Sequence, residues 1–332
     1  MLKKYFFSFK NLFGLIISAI CIYWSFKNFN FNEFLKYFKS IDYYFFIIAI
    51  SALIFSVILR SMRWLLFFKK DEIKYLNLLD LFKNEMIGYF GNNIFPFKLG
   101  DLLRVFTMSR QTNISKTYLL GTVAIERIID IASLIIFVCI SLALFILITG
   151  FYPIYTLISS IATLFIGDFF NLNYLLYYLV GLLLMFGAIF LIIKNNKNLF
   201  NWKLFLSPFK NIKSNKKILK VIILSLFIWM IYLFNINLIS YSCGYNFSIL
   251  DSLLLLTLTT IVMIIPSAPG MIGTFHASII IIMTKLLNYP FQEASSFSII
   301  LHAYSYITYS IIGGYFFMKS NVMFTHELKN RK

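Results

Sequence analysis

Cysteine is nearly missing from this chain, with three residues in 332, at positions 21, 139 and 243. They stand singly in or beside apolar segments, without C-x-x-C or any metal-ligand spacing. That excludes a disulfide framework and a structural zinc site, and the thiols read as small buried hydrophobes. Acidic side chains are also scarce, 13 against 30 Lys and Arg, so few carboxylates remain for acid–base work or for holding a metal. No G-x-x-x-x-G-K-[ST] loop occurs anywhere, which removes a nucleotide-driven motor. Neither a catalytic set nor a metal or cofactor site is therefore expected.

What is present is oil and lysine. Hydrophobic residues make up 60% of the chain and the formal net charge is +17. That apolar fraction is far above an ordinary soluble domain and marks an all-α polytopic membrane protein. The lysines lie in short connections between apolar runs, as cytoplasmic flanks of membrane helices do, so nucleic acid is not an expected partner. The first apolar run, residues 12–26, follows Lys3, Lys4 and Lys10 but lacks a small-residue cleavage site, and it reads as a retained helix.

A spanning helix needs roughly 20 mostly apolar residues. The first is expected over residues 11–26 and the second over 43–59, with Arg60, Arg63, Lys69, Lys70 and Lys74 in a cytoplasmic loop behind it. Residues 194–220 hold eight lysines and are read as a basic cytoplasmic loop, whereas residues 150–173 hold no Lys or Arg and are read as external. Helices at 116–149, 174–193 and 218–241 then run outward, inward and outward, and both termini are cytoplasmic. Two apolar segments, 75–116 and 250–292, must return to the side they left, and each is broken by Pro or Gly near its middle. They are expected to be re-entrant helical hairpins, one from each face, beside about six spanning helices. The organisation expected is a single integral membrane domain, 1–332, arranged as an inverted repeat of 1–149 and 150–332. Broken backbone at membrane depth is tolerated only beside protein or a water-filled cavity, and in inverted-repeat transporters the substrate lies between such segments.

Two constellations sit on these hairpins. In the first, Asn92, Asn93 and Pro96 mark the break, and Lys98, Asp101 and Arg104 share one face of the returning helix. Glu126 and Asp130 share a face of the next helix, with Arg127 beside them. Asp101, Arg104, Glu126, Arg127 and Asp130 nearly neutralise one another and leave Lys98 as the surplus cation. They either pin the hairpin by ion pairs or line a polar cavity for a charged head group, and the two readings are compatible. In the second constellation, IPSAPGMIGTFHASIIIIM, residues Pro266, Pro269, Gly270 and Gly273 break the helix and Ser267, Thr274 and His276 supply polar groups. A helix starting near Gly273 would offer its N-terminal N–H groups to an anion. His276 and His302 read either as proton carriers or as hydrogen-bonded neutral rings.

The stretches GNNIFPFKLGDLLR (91–104), AIERIID (124–130) and PSAPGMIGTF (266–275) resemble the lysylphosphatidylglycerol-synthase transmembrane family, also called flippase-like domains. The resemblance implies a multi-helix membrane domain with re-entrant elements that handles polar lipids. Its best-known members carry a further soluble aminoacyltransferase domain, which is not expected in a chain that stops at Lys332. Where this sequence has Met271 a second glycine is common in that family, and where it has His276 an acidic residue is common. The function expected is translocation of a polar or charged lipid head group across the cytoplasmic membrane. The partners expected are an anionic or aminoacylated phospholipid or a lipid-linked glycan, and a further copy of the chain in a homo-oligomer. The alternative is an integral membrane transferase acting on a lipid or lipid-linked substrate.

Overall fold

The structure is a computed structural model, described here for residues 9–73, 76–95, 99–150, 201–212, 214–264 and 267–320. The inward helix expected at 174–193, the first part of the basic loop, and Pro96, Lys98 and Pro266 lie outside the described residues. Among those described, all regular structure is helical. In chain order the elements are α1 (Phe9–Phe26), α2 (Phe31–Lys39), α3 (Tyr43–Leu65), α4 (Lys70–Ile73), α5 (Leu78–Ile94), α6 (Gly100–Thr112) and α7 (Lys116–Thr149). There follow α8 (Trp202–Phe205), α9 (Ser207–Asn211), α10 (Asn215–Ser242), α11 (Ile249–Val262), a 3₁₀ turn (Pro269–Met271), α12 (Thr274–Lys285) and α13 (Phe291–Lys319).

Among the described residues three helices are long and apolar enough to cross a membrane: α3, α7 and α10. At 1.5 Å per residue α3 extends about 35 Å, against the roughly 30 Å of a hydrocarbon core. The helix α13 is as long but carries Ser, His and Tyr along its length, because it runs through the interior. The legs of the two hairpins are shorter. At about 26 Å for α5, 20 Å for α6, 21 Å for α11 and 18 Å for α12, none crosses a full hydrocarbon core. Turn chemistry in the sequence ends them. Phe95, which precedes Pro96, is extended (φ −97°, ψ 143°), as a residue before proline must be. At the far end α11 opens on a capping box between Ser248 and Asp251.

The helices form two interlocked copies of one unit: a long helix, a short-legged hairpin and a second long helix. The first unit is α3, α5–α6, α7, and the second is α10, α11–α12, α13. Exchanging the units maps their contacts onto one another: α5 packs on α13 as α11 packs on α7, and α3 lies along α10. The two long helices are antiparallel. Asp42 N–H, at the start of α3, donates to Ser242 O at the end of α10 (2.8 Å), and Lys217, near the start of α10, reaches Leu66 O (3.4 Å). The repeat is therefore inverted.

Two apolar cores fill the ends of this bundle. One gathers Trp64, Phe67, Phe68, Leu81, Met108 and Leu119 at the end rich in basic residues. The other gathers Leu53, Phe137, Trp229, Ile239, Leu255 and Ile280 towards the opposite end. Between the cores α3 carries Ser56, Arg60 and Arg63, α7 carries Glu126, Arg127 and Asp130, and α10 carries Ser225, and the candidate site lies there.

One expectation is corrected. The second helix continues past residue 59 to Leu65, so Arg60 and Arg63 are helical and buried rather than part of a loop. Ala49, Leu53, Ser56, Val57, Arg60, Arg63 and Trp64 form one buried stripe at helical spacing. The two arginines occupy core positions on that stripe because carboxylates wait opposite them.

Candidate functional site

Glu126 is the hub of the polar layer. It is fully buried on α7; its Oε1 pairs with Arg60 Nη2 and its Oε2 accepts from Arg104 Nη2 at 3.0 Å. Arg104 in turn donates to Glu85 Oε1 (2.5 Å) and lies 4.9 Å over the Trp64 ring. One turn along α7, Asp130 takes Arg63 on Oδ1 (2.7 Å) and Arg60 on Oδ2 (3.1 Å). Arg127 points the other way and grips both oxygens of Asp101, at 2.9 and 2.7 Å, the planar fork that a guanidinium offers a carboxylate. Helices α3, α5, α6 and α7 are thereby tied at one level, and α10 joins through Ser225 Oγ, which accepts from Arg63 (3.0 Å), and Tyr232.

Four guanidinium groups meet four carboxylates here, so among the described residues the network is neutral. Burying such groups is tolerable only because each is matched; an unmatched buried ion is strongly destabilising. The sequence brought Asp101, Arg104, Glu126, Arg127 and Asp130 together correctly. It missed Arg60 and Arg63, hidden among flanking lysines, and Glu85, one polar residue in a helix with weak periodicity. The helical spacing of Arg60 and Arg63 from Leu53, Ser56 and Val57 was the signal that could have found the first two.

The α5–α6 turn closes tightly beside this network. Asn92 Oδ1 accepts the Gly100 N–H (2.9 Å), an otherwise unpaired donor at the start of α6. Gly91 and Gly100 let the two legs touch: a Cβ on Gly91 would stand 2.7 Å from Gly100 Cα. Asn93 reaches the other unit, donating to Tyr306 O (3.0 Å) and Ser310 Oγ (2.9 Å) on α13.

In the second hairpin Gly270 (φ 64°), Met271 (φ 58°) and Gly273 (φ 95°) are all left-handed. A side chain at such a position costs about 1–2 kcal/mol, and Met271 bears that cost here. A Cβ on Gly270 would lie 2.5 Å from the Tyr306 ring and 3.3 Å from Asn93 O, so the two hairpin tips meet against α13. The turn before α12 is packed against α1. Gly273 N–H donates to His276 Nδ1 (3.3 Å), Ala268 N–H to Ser18 Oγ (2.7 Å), and α1 covers the turn. Thr274 Oγ1 donates to Met271 O (3.2 Å), and Ser267 lies at the entry to the turn. His302 Nε2 bonds Gly270 O (2.8 Å), so that nitrogen carries the hydrogen, and its ring stands 4.8 Å from that of His276.

A cavity of about 590 Å³ opens between the two hairpins. Of the residues expected from sequence, Asn92, Asn93, Asp101, Arg127, Asp130 and Gly270 line it. Arg104 and Glu126 are buried in the network itself, Gly273 and His276 lie against Ser18, Ile22 and Phe26 of α1, and Thr274 is buried. Arg60, Tyr89, Trp229, Thr259 and His302 are further lining residues. At its mouth Ile131 of α7 and Ile264, just after α11, line the cavity while more than half exposed. No group of His, Cys, Asp and Glu suited to a metal occurs among the described residues.

Comparison with known proteins places this arrangement. Residues 11–313 match the family described as lysylphosphatidylglycerol synthase TM region. The chain is also similar to a UPF0104 membrane protein of Methanocaldococcus jannaschii, 28% identical over 252 residues, covering 73% of this chain and 99% of that protein. No solved structure matches.

Proposed function

Because this chain belongs to the lysylphosphatidylglycerol synthase transmembrane-region family, we propose that it carries the polar head group of a membrane lipid between leaflets, through the cavity between its hairpins. The observation that carries this reading is the apolar, exposed rim of the cavity. Ile131 and Ile264 are large, apolar and exposed at its rim, where a bilayer would contact them, while Asp101, Arg127 and Asp130 stand just inside. A lipid can enter there with its head group among polar residues and its acyl chains left in hydrocarbon. Inverted hairpins meeting at their tips supply the two-sided arrangement that alternating access requires. With no nucleotide-binding loop in the sequence, movement runs downhill or on an ion gradient. A transferase would need a carboxylate ready to exchange a proton; Glu126 is hydrogen-bonded by two arginines and Asp130 by three.

The test is a proteoliposome assay following outer-leaflet quenching of head-group-labelled lipids. Wild type is expected to let quenching run beyond the outer-leaflet share. Arg127→Gln, at a half-exposed position, is expected to stay folded and lose that excess. Quenching no greater than in empty liposomes, across neutral, zwitterionic and anionic lipids, sinks the reading.

The membrane is taken to be the cytoplasmic one, with the basic end inside. A cysteine at Ser40 is then expected to react with an impermeant maleimide on intact cells and one at Lys69 only after lysis, in a background lacking the native cysteines. The reverse pattern inverts the assignment.

A further inference from the structure

The cavity's charge and its aromatic lining together bear on which head group it takes; the argument rests on the transport reading above. Every guanidinium of the polar layer is already matched. Arg127, its most accessible cation with 43% of the side chain exposed, is forked on Asp101, and Arg60 is shared by Glu126 and Asp130. Lys98 lies outside the described residues, and among those described an anionic head group meets no unmatched guanidinium. It must instead approach Asp101 and Asp130, which keep 21% and 18% of their side chains exposed. A cationic head group faces Arg60 and Arg127 in the same way.

Hydroxyl groups meet neither obstacle. A carboxylate oxygen has lone pairs beyond those used by an arginine, and a hydroxyl can donate to Asp101 or Asp130 while accepting from Arg127 without breaking a pair. Much of the remaining wall is aromatic: Trp229, Tyr232, Tyr304 and Tyr306 line the cavity beside Tyr89 and Tyr309, which stack on each other. Ring faces pack against the C–H faces of a sugar, and phosphate gains nothing from them. The volume of about 590 Å³ is in the range of pockets that enclose a whole organic ligand.

We propose that the cavity takes an uncharged sugar head group, that of a glycosyl diacylglycerol, in preference to an anionic phospholipid. The probe is the intrinsic fluorescence of Trp229, isolated by subtracting the Trp229→Phe variant, with the full chain in phosphatidylcholine nanodiscs. Short-chain monoglucosyl diacylglycerol and short-chain phosphatidylglycerol are titrated separately. The glucosyl lipid is expected to give a saturable change with half-saturation about tenfold lower than phosphatidylglycerol. The charge-neutral pair Asp101→Asn with Arg127→Gln is expected to remove that preference while gel filtration shows a folded protein.

Equal or tighter binding of phosphatidylglycerol overturns the proposal, as does an absence of signal from the glucosyl lipid. The transport assay separates the two readings. Glucosyl preference in binding without any lipid movement keeps the head-group class and removes the transport reading. Faster movement of phosphatidylglycerol than of the glucosyl lipid keeps transport and removes the head-group class.

Discussion

Glu126→Gln is expected to destabilise the protein by about 3–5 kcal/mol, the usual cost of removing one partner from a buried ion network. The glutamine keeps the shape and loses the charge, leaving Arg60, Arg63, Arg104 and Arg127 facing three carboxylates. Glu126 itself is fully buried, and Arg60, Arg63 and Arg104 are nearly so, so water cannot make good the loss. The double variant Glu126→Gln with Arg60→Met removes one charge of each sign, leaves Arg63–Asp130, Arg104–Glu85 and Arg127–Asp101 paired, and is expected to recover part of the loss, because close partners are not additive. The measurement is the thermal midpoint in detergent, read by the fraction remaining monodisperse on gel filtration. A single variant with the wild-type midpoint would mean that the network is hydrated and that its pairing does not hold the helices.

Gly100→Ala is expected to be nearly as damaging, for a steric reason. Its Cβ would fall within contact distance of Gly88 O and 2.5 Å from Asn92 N, so the legs of the first hairpin must separate. Overpacking of this kind costs typically about 1–3 kcal/mol. The functional loss is expected to be larger than the stability loss. Asp101 and Arg104 follow immediately on α6, and moving that helix lengthens the Arg127–Asp101 fork and the Arg104–Glu126 bond together. Gly244→Ala is the control: it too has a positive φ, but nothing lies within 4 Å of its Cβ. Its midpoint is expected to fall by only the backbone cost, about 1–2 kcal/mol, with lipid movement intact. Equal effects of the two substitutions would show that the close approach of the legs is unimportant.

The sequence alone was enough for the membrane class, for the places of the long helices α3, α7 and α10, and for the positions where two apolar segments break. Each of those follows from local chemistry: the length of an apolar run, a proline that lacks a donor, a glycine that tolerates positive φ. It was also enough to group Asp101 with Arg104 and Glu126 with Asp130, since residues three or four apart on a helix share a face. Only the tertiary structure decided which charges are neutralised by which. Arg60 and Glu126 are 66 residues apart, and Arg63 and Asp130 are 67 apart. An arginine at the end of an apolar run has the same local signature whether it ends in water or opposite a carboxylate. The aromatic wall is likewise drawn from α5, α10 and α13, which come together only when the inverted units interlock. Packing also set α1 against the turn before α12, where Ser18 accepts the Ala268 N–H from 250 residues away. Hydropathy and turn chemistry act along the chain, whereas charge pairing and cavity shape act across it.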